Sequence, residues 1–179
     1  GKYRDEARPI LVNNWEGTYF DFDEEKIVGI AREAADLGIE LMVLDDGWFG
    51  KRNSDNCSLG DWVVNKEKLP NGISGLAKKV NEFGIKFGLW FEPEMVSPDS
   101  NLYREHPDWC IHVPGRDRTE CRWQLTLDLS RPEVCDYIVN AVSSVLDEAN
   151  IGYVKWDMNR HMSMLGSAGL DSEHQKEMP

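Results

Sequence analysis

The stretch GYVKWDMNR, residues 152–160, mixes residues that suit a packed sheet with residues that do not. Tyr153, Val154 and Trp156 fit a covered strand, whereas Lys155, Asp157 and Asn159 bring charge and amide groups. Charged side chains are seldom buried unless they are paired or put to use. Side chains alternate along a strand, so Lys155, Asp157 and Asn159 share one face with Tyr153, and Val154 and Trp156 point the other way. A strand of this kind predicts a sheet with a chemically active edge.

Four earlier segments have the same character: PILVNNWE (9–16), ELMVLDDGW (40–48), IKFGLWFEPE (85–94) and QLTLDLS (124–130). With residues 152–159 they make five expected strands, each apolar at its start and polar or acidic at its end. Continuous apolar runs are the mark of strands covered on both faces. Helical patterns lie between them. In DFDEEKIVGIAREAADLG the expected N-cap is Asp21 with Glu24 three residues on, and Ile27, Ile30, Ala31, Ala34 and Leu37 form the apolar stripe up to Gly38. SGLAKKVNEFG repeats the pattern and stops at Gly84. SRPEVCDYIVNAVSSVLDEANIG starts with Ser130 as expected cap, Pro132 in the first turn and Glu133 closing a capping box; Val134, Ile138, Ala141, Val142, Val145 and Leu146 form its stripe.

Strand then helix, repeated, implies an α/β fold with a parallel sheet and right-handed crossovers. A doubly wound sheet and a (β/α)8 TIM barrel both fit. No GxGxxG or P-loop follows any of these strands. Reactive residues at every strand end favour the barrel, since a doubly wound sheet concentrates its ligand at one switch point. A full barrel takes about 250 residues. The expectation is therefore a single domain over residues 1–179: a partial barrel of about the first five β/α units with parallel strands, ending after the fifth. An open sheet of that kind leaves apolar edges and predicts self-association.

Composition narrows the partners. With 20 basic and 32 acidic residues the net charge is −12, which argues against nucleic acid, because phosphate binding needs a basic surface. No run approaches the roughly 18 apolar residues of a membrane span, and GKYRDEARPI at the N-terminus holds no apolar run of the signal-peptide kind. Cys57, Cys110, Cys121 and Cys135 lack CxxC spacing, so they are expected to be reduced thiols in a cytoplasmic protein.

In a barrel the strand ends converge on one rim. The candidates there are Asn13, Asn14 and Glu16; Asp45 and Asp46; Trp90, Glu92 and Glu94; Asp128; and Lys155, Asp157 and Asn159. Carboxylates beside Trp15, Trp48, Trp90 and Trp156 suggest a sugar site, where hydroxyls meet acidic acceptors and C–H faces meet aromatic rings. Asp157 next to the Lys155 ammonium would stay ionised, as a nucleophile at an anomeric carbon must. A structural Lys155–Asp157 pair and a Schiff-base lysine are the alternatives; a neighbouring carboxylate keeps the amine protonated, which disfavours the second. Asp45 and Asp46 read as hydroxyl acceptors, or as an Asx-turn opening a loop. A divalent metal there lacks further ligand spacing. Arg122, just before the fourth expected strand, either reaches the mouth or forms a surface ion pair.

The motifs NNWEGTYFDF, LDDGWFGKR, GLWFEPEMVSPDSNLYREHPDW, LDLSRPEV and YVKWDMNR, in that order, closely resemble the catalytic barrel of the bacterial-type α-galactosidases of glycoside hydrolase family 36. The resemblance runs from about Arg8 to Gly169. It implies a retaining double displacement on terminal α-galactosyl units of raffinose-type oligosaccharides and melibiose, with Asp157 as nucleophile. It further implies that Lys155 and Asn159 bind hydroxyls near the reacting carbon, that Asp45 and Asp46 take the 4- and 6-hydroxyls, that Trp15 and Trp90 line the pocket, and that Arg122 adds hydrogen bonds. No metal or organic cofactor is implied. In the family the acid/base aspartate ends the sixth strand, outside these 179 residues, so the chain alone is expected to have little or no hydrolytic activity. Alternatives on the same scaffold are an α-N-acetylgalactosaminidase or galactosyl transferase; a non-catalytic galactoside-binding or assembly module is the alternative of another class.

Overall fold

The computed structural model describes residues 4–175. The chain enters through β1 (Leu11–Asn13) and turns at once into a short helix α1 (Trp15–Thr18). It continues as α2 (Glu24–Asp36), β2 (Leu41–Leu44), α3 (Gly72–Asn81) and β3 (Lys86–Phe91). The short β4 (Met95–Val96) and α4 (Asn101–Glu105) come next, followed by a single 3₁₀ turn (Pro107–Trp109). Then follow β5 (Leu125–Thr126), α5 (Pro132–Glu148) and β6 (Tyr153–Trp156). The main sheet has the order β1-β2-β3-β6, with every neighbouring pair parallel. This is the α/β arrangement expected, with α2, α3 and α5 as crossovers.

The helices bury the stripes that their spacing predicts. Ile27 and Ala31 of α2, Ile73, Leu76, Ala77 and Val80 of α3, and Val134, Ile138, Val142 and Val145 of α5 are buried in one core with Met42, Leu44, Phe87 and Leu89 of the sheet, and Ala34 of α2 is buried as well. Leu37 is a correction: it lies at the C-cap of α2, where the chain leaves the helix through Gly38 at φ +80°, and it is 83% exposed. The caps also differ. Asp23, not Asp21, accepts from the Lys26 backbone N–H at 2.8 Å, and Asp21 instead meets the Lys26 ammonium. Ser130 does not cap α5; its hydroxyl donates to Asp128 at 2.6 Å, and Arg131 occupies the cap position.

The larger correction concerns the strand count: among the described residues four strands are parallel, and the expected strand at 124–130 is not one of them. Its core, β5, pairs antiparallel with β4. Only α4 and the 3₁₀ turn are helical between β4 and β5, so no long crossover helix of the βαβ kind joins them. The chain instead reverses at Cys121–Gln124, whose backbones bond in both directions, with Arg122 and Trp123 both left-handed at φ 53° and 55°. Positive φ at both central residues is the two-residue hairpin turn usually made by Asn-Gly. The residues at 152–159 therefore supply the fourth parallel strand, not the fifth.

Candidate active site

Each parallel strand delivers polar groups where it ends. From β1, Asn13 donates to Asp45 Oδ2 at 2.5 Å, and Asn14 accepts the Asp45 backbone N–H at 2.8 Å. After β2 come Asp45 and Asp46, both buried. From β3 come Trp90 and Glu92, and from β6 Lys155, Asp157 and Asn159. Lys155 passes across β3 to reach Asp45 Oδ2 at 2.8 Å, so the sheet curves its two outer strands toward a common centre.

The centre is a hollow of about 190 Å³. Trp15, Asp45, Asp46, Trp90, Arg122, Lys155, Asp157 and Asn159, the residues to which the family resemblance gives a role, line it together with Arg52 and Glu92. Trp15 stands on α1 rather than on a strand, its ring edge-on to Tyr19 and Phe20 at centroid distances of 5.2 and 5.0 Å. Arg122 fits both of its readings: it lines the hollow and also pairs with Asp55 at 3.4 Å.

Asp157 is the centre of the polar network. Its Oδ2 accepts the Trp90 indole N–H and the Asn159 amide, each at 2.9 Å, and its Oδ1 accepts the Met158 backbone N–H at 3.0 Å. Partial burial alone would raise its pKa; the Trp90, Asn159 and Met158 donors, with the Lys155 charge as the smallest contribution, outweigh it and hold the carboxyl below its ordinary value. The ammonium expected beside Asp157 is thus directly bonded to Asp45 instead, and hydrogen bonds do most of the work assigned to it. Asp46 lies the other way: burial raises its pKa despite the opposing Arg52 guanidinium, with Asp45 and Asp55 adding to the rise. Glu92 is also raised, mainly by burial, and Asn159 opposes the rise. Both Glu92 oxygens are engaged, one by the Asn159 backbone N–H at 2.5 Å and the other by Gln124 at 3.3 Å.

Other strand-end candidates fall outside the hollow. Trp48 is fully buried and donates to the Trp90 carbonyl at 2.9 Å, so it backs the site without lining it. Trp156 faces outward and donates to Glu94 at 2.8 Å. Asp128, on the antiparallel hairpin, is held by the hydroxyls of Ser130 and Ser167. Arg52 was not among the sequence candidates. Its only signal is an arginine five residues beyond an Asp-Asp-Gly turn, which by itself reads as a loop cation. Among the described residues, no group of three or more His, Cys, Asp and Glu side chains is placed to hold a metal ion. The four cysteines are unbridged, and no helix of the described residues is long and apolar enough to cross a membrane.

Comparison with known proteins agrees with this arrangement. α-Galactosidase AgaA of Geobacillus stearothermophilus is 68% identical over 177 residues, covering 99% of this chain and 24% of that protein. α-Galactosidase Mel36A of Lactobacillus acidophilus is 54% identical over 176 residues, 98% of this chain and 24% of its own length. A crystal structure of a GH36 AgaA variant in complex with raffinose superposes with a TM-score of 0.96 at 67% identity, over 99% of this chain and 25% of that one. The chain thus spans about a quarter of the length of the curated relatives it matches. The melibiase family matches residues 1–179 from end to end, and the chain, with its parallel sheet and its polar hollow, belongs to that family.

Proposed function

We propose that this chain is the galactose-binding and nucleophile-bearing part of a retaining α-galactosidase, a partial (β/α)8 barrel over residues 1–179. The observation that carries the reading is the Asp157 carboxylate, kept ionised by three donors in a sugar-sized hollow with two tryptophans and two further aspartates. One Asp157 oxygen attacks the anomeric carbon of a terminal α-galactosyl unit. The bond from that carbon to the leaving oxygen breaks as the carboxylate–carbon bond forms, and water later cleaves the glycosyl-enzyme. Lys155 and Asn159 bind hydroxyls beside the reacting carbon, Asp45 and Asp46 take the 4- and 6-hydroxyls, Trp15 and Trp90 pack on the ring, and Arg122 closes one side. Raffinose-type oligosaccharides are the substrate class. No metal or organic cofactor enters the scheme.

Retention needs a second carboxyl group about 5 Å from the nucleophile to protonate the leaving oxygen. Among the other carboxyls of the hollow, Asp45 is bonded to Lys155 and Asn13, Asp46 is held by Arg52, and the Glu92 oxygens are committed to Asn159 and Gln124. By the family resemblance the acid/base group ends the sixth strand, outside these residues, and in this reading the 179 residues by themselves form a glycosyl-enzyme only from activated galactosides. The open edge of β6, where Trp156 is 52% exposed, supports self-association of the isolated chain, which light scattering reads directly. A cytoplasmic location goes with the unbridged thiols.

The test is mass spectrometry of the chain after incubation with a fluorinated galactosyl fluoride that leaves without protonation. One glycosyl adduct, mapped to Asp157 and absent from Asp157→Asn, is expected. Labelling of another carboxylate, or none under conditions where galactose binds, refutes the assignment; binding without labelling is the signature of the non-catalytic galactoside module.

A further inference from the structure

We propose that Arg52 is a positioning residue that fixes Asp46 as an ionised acceptor for a substrate hydroxyl; this rests on the galactoside reading above. The Arg52 side chain is 1% exposed, and Nε, Nη1 and Nη2 each donate to protein groups. Nε donates to Asp46 Oδ1 at 2.9 Å and Nη2 to Asp46 Oδ2 at 2.8 Å, a parallel fork on one carboxylate. Nη1 donates to the carbonyls of Asp55 and Cys57 at 2.8 and 2.9 Å. The guanidinium is thus anchored from behind by a loop, independently of the carboxylate it presents to. The Phe20 ring lies 5.7 Å from its carbon centre. A lysine cannot reproduce this, because an ammonium has no planar fork.

Arg52 answers a specific difficulty. Asp46 is 5% exposed and shares its surroundings with Asp45, Asp55 and Glu92, all of which oppose its charge. The favourable charges are Arg52, which bonds it directly, and, more distantly, Lys68, with Lys155 and Arg122 also facing the hollow but paired to Asp45 and Asp55. A carboxylate offers about four lone-pair sites. The fork takes one site on Oδ1 and, with the longer Nε contact at 3.2 Å, two on Oδ2, which leaves Oδ1 with acceptor capacity for a sugar hydroxyl at a fixed angle. A protonated Asp46 would lose that capacity, and a sugar lacking the matching hydroxyl would leave a buried charge unpaired.

The experiment is galactose titration of the full chain by calorimetry across pH 4.5–9, for the unaltered chain, Arg52→Gln, Arg52→Lys and Asp46→Asn. Removing the guanidinium raises the proton affinity of Asp46, so the pH at which galactose affinity is half lost should move up in Arg52→Gln by about one unit or more, with affinity largely regained at alkaline pH. Arg52→Lys should move it the same way by less. Asp46→Asn should bind weakly and remove the pH-dependent part. A merely structural role predicts an affinity loss equal at all pH values, and that result overturns the proposal. If near-UV circular dichroism shows Arg52→Gln unfolded, Arg52→Lys decides; if both unfold, retention of the acid-side affinity loss in Asp46→Asn overturns it. An unaltered chain that binds no galactose at any pH overturns the galactoside reading and this inference with it, whereas binding with unmoved midpoints overturns this inference alone.

Discussion

Lys68→Met tests whether the loops carrying the site are held by a single ammonium. Lys68 Nζ donates to three backbone carbonyls: Phe20 and Gly47 at 3.0 Å each, and Arg52 at 3.2 Å. These belong to the segment after α1, the turn directly after Asp46, and the loop that anchors the Arg52 guanidinium. Methionine keeps the length of the chain and its packing on the Phe22 ring, over which the ammonium sits at 4.6 Å, but donates nothing. Each lost bond costs about 1 kcal/mol, so three cost about 3 kcal/mol. Burial lowers the Lys68 pKa, so removing the charge also relieves part of its desolvation and offsets some of that loss. The expected net loss is about 2 kcal/mol, a factor of about 30 in the folded-to-unfolded ratio. With a urea slope of about 2 kcal/mol/M, the midpoint falls by about 1 M at unchanged slope. Galactose affinity should fall as well, because Gly47 follows the two aspartates. The control is the exposed Lys66→Met. A midpoint shift under about 0.3 M, or one no larger than the control's, would show that the three carbonyls are satisfied by water once the ammonium is gone.

Other substitutions probe separate links. Trp90→Phe removes the indole donor from Asp157, which raises the proton affinity of that carboxylate. Because Asp157 now titrates below the ordinary carboxylate range, its reactivity toward the fluorinated galactoside should persist into acid in the parent and fail at higher pH in the variant; superimposable rate–pH profiles would contradict this. Gly88 sits in β3 where an added Cβ would lie 3.1 Å from Tyr153 Cβ and 3.2 Å from Val43 Cγ2, so Gly88→Val should destabilise by about 2–3 kcal/mol and Gly88→Ala by less. A valine variant as stable as the parent in urea would mean that β6 yields freely. Trp123→Gly relieves one of the two left-handed residues in the hairpin turn and should raise stability by about 1 kcal/mol in thermal unfolding; a loss would show that the exposed indole packs more than its 57% accessibility suggests.

What the sequence discloses depends on whether the signal is local. The stripes of α2, α3 and α5 and the apolar runs of β2 and β3 are periodic, and they fold as their periods require. The alternation in YVKWDMN places Asp157 and Lys155 on one face, and that face is the one that meets the hollow. The hairpin at 121–124 is invisible to such reasoning, since neither arginine nor tryptophan favours a left-handed turn and no glycine marks the reversal. Its apolar run QLTL therefore reads as one more parallel strand. Partner choice is equally hidden. Nothing in the spacing says that Lys155 bonds Asp45, 110 positions away, rather than Asp157, two positions away. Arg52 is concealed because its importance comes from complete burial by a loop without regular structure.

The Asp45 carboxylate ties the outermost members of the sheet to one another. Asn13 arrives from one margin and Lys155 from the opposite margin, and both end on the same oxygen, Oδ2. A galactosyl hydroxyl arriving at Asp45 would join a knot that already spans the sheet. Occupancy of the hollow and resistance of the margins to opening are then a single equilibrium seen from two sides. Ligand should slow amide exchange in β1 and β6 together, and loosening either margin should weaken the grip on the sugar by the same free energy.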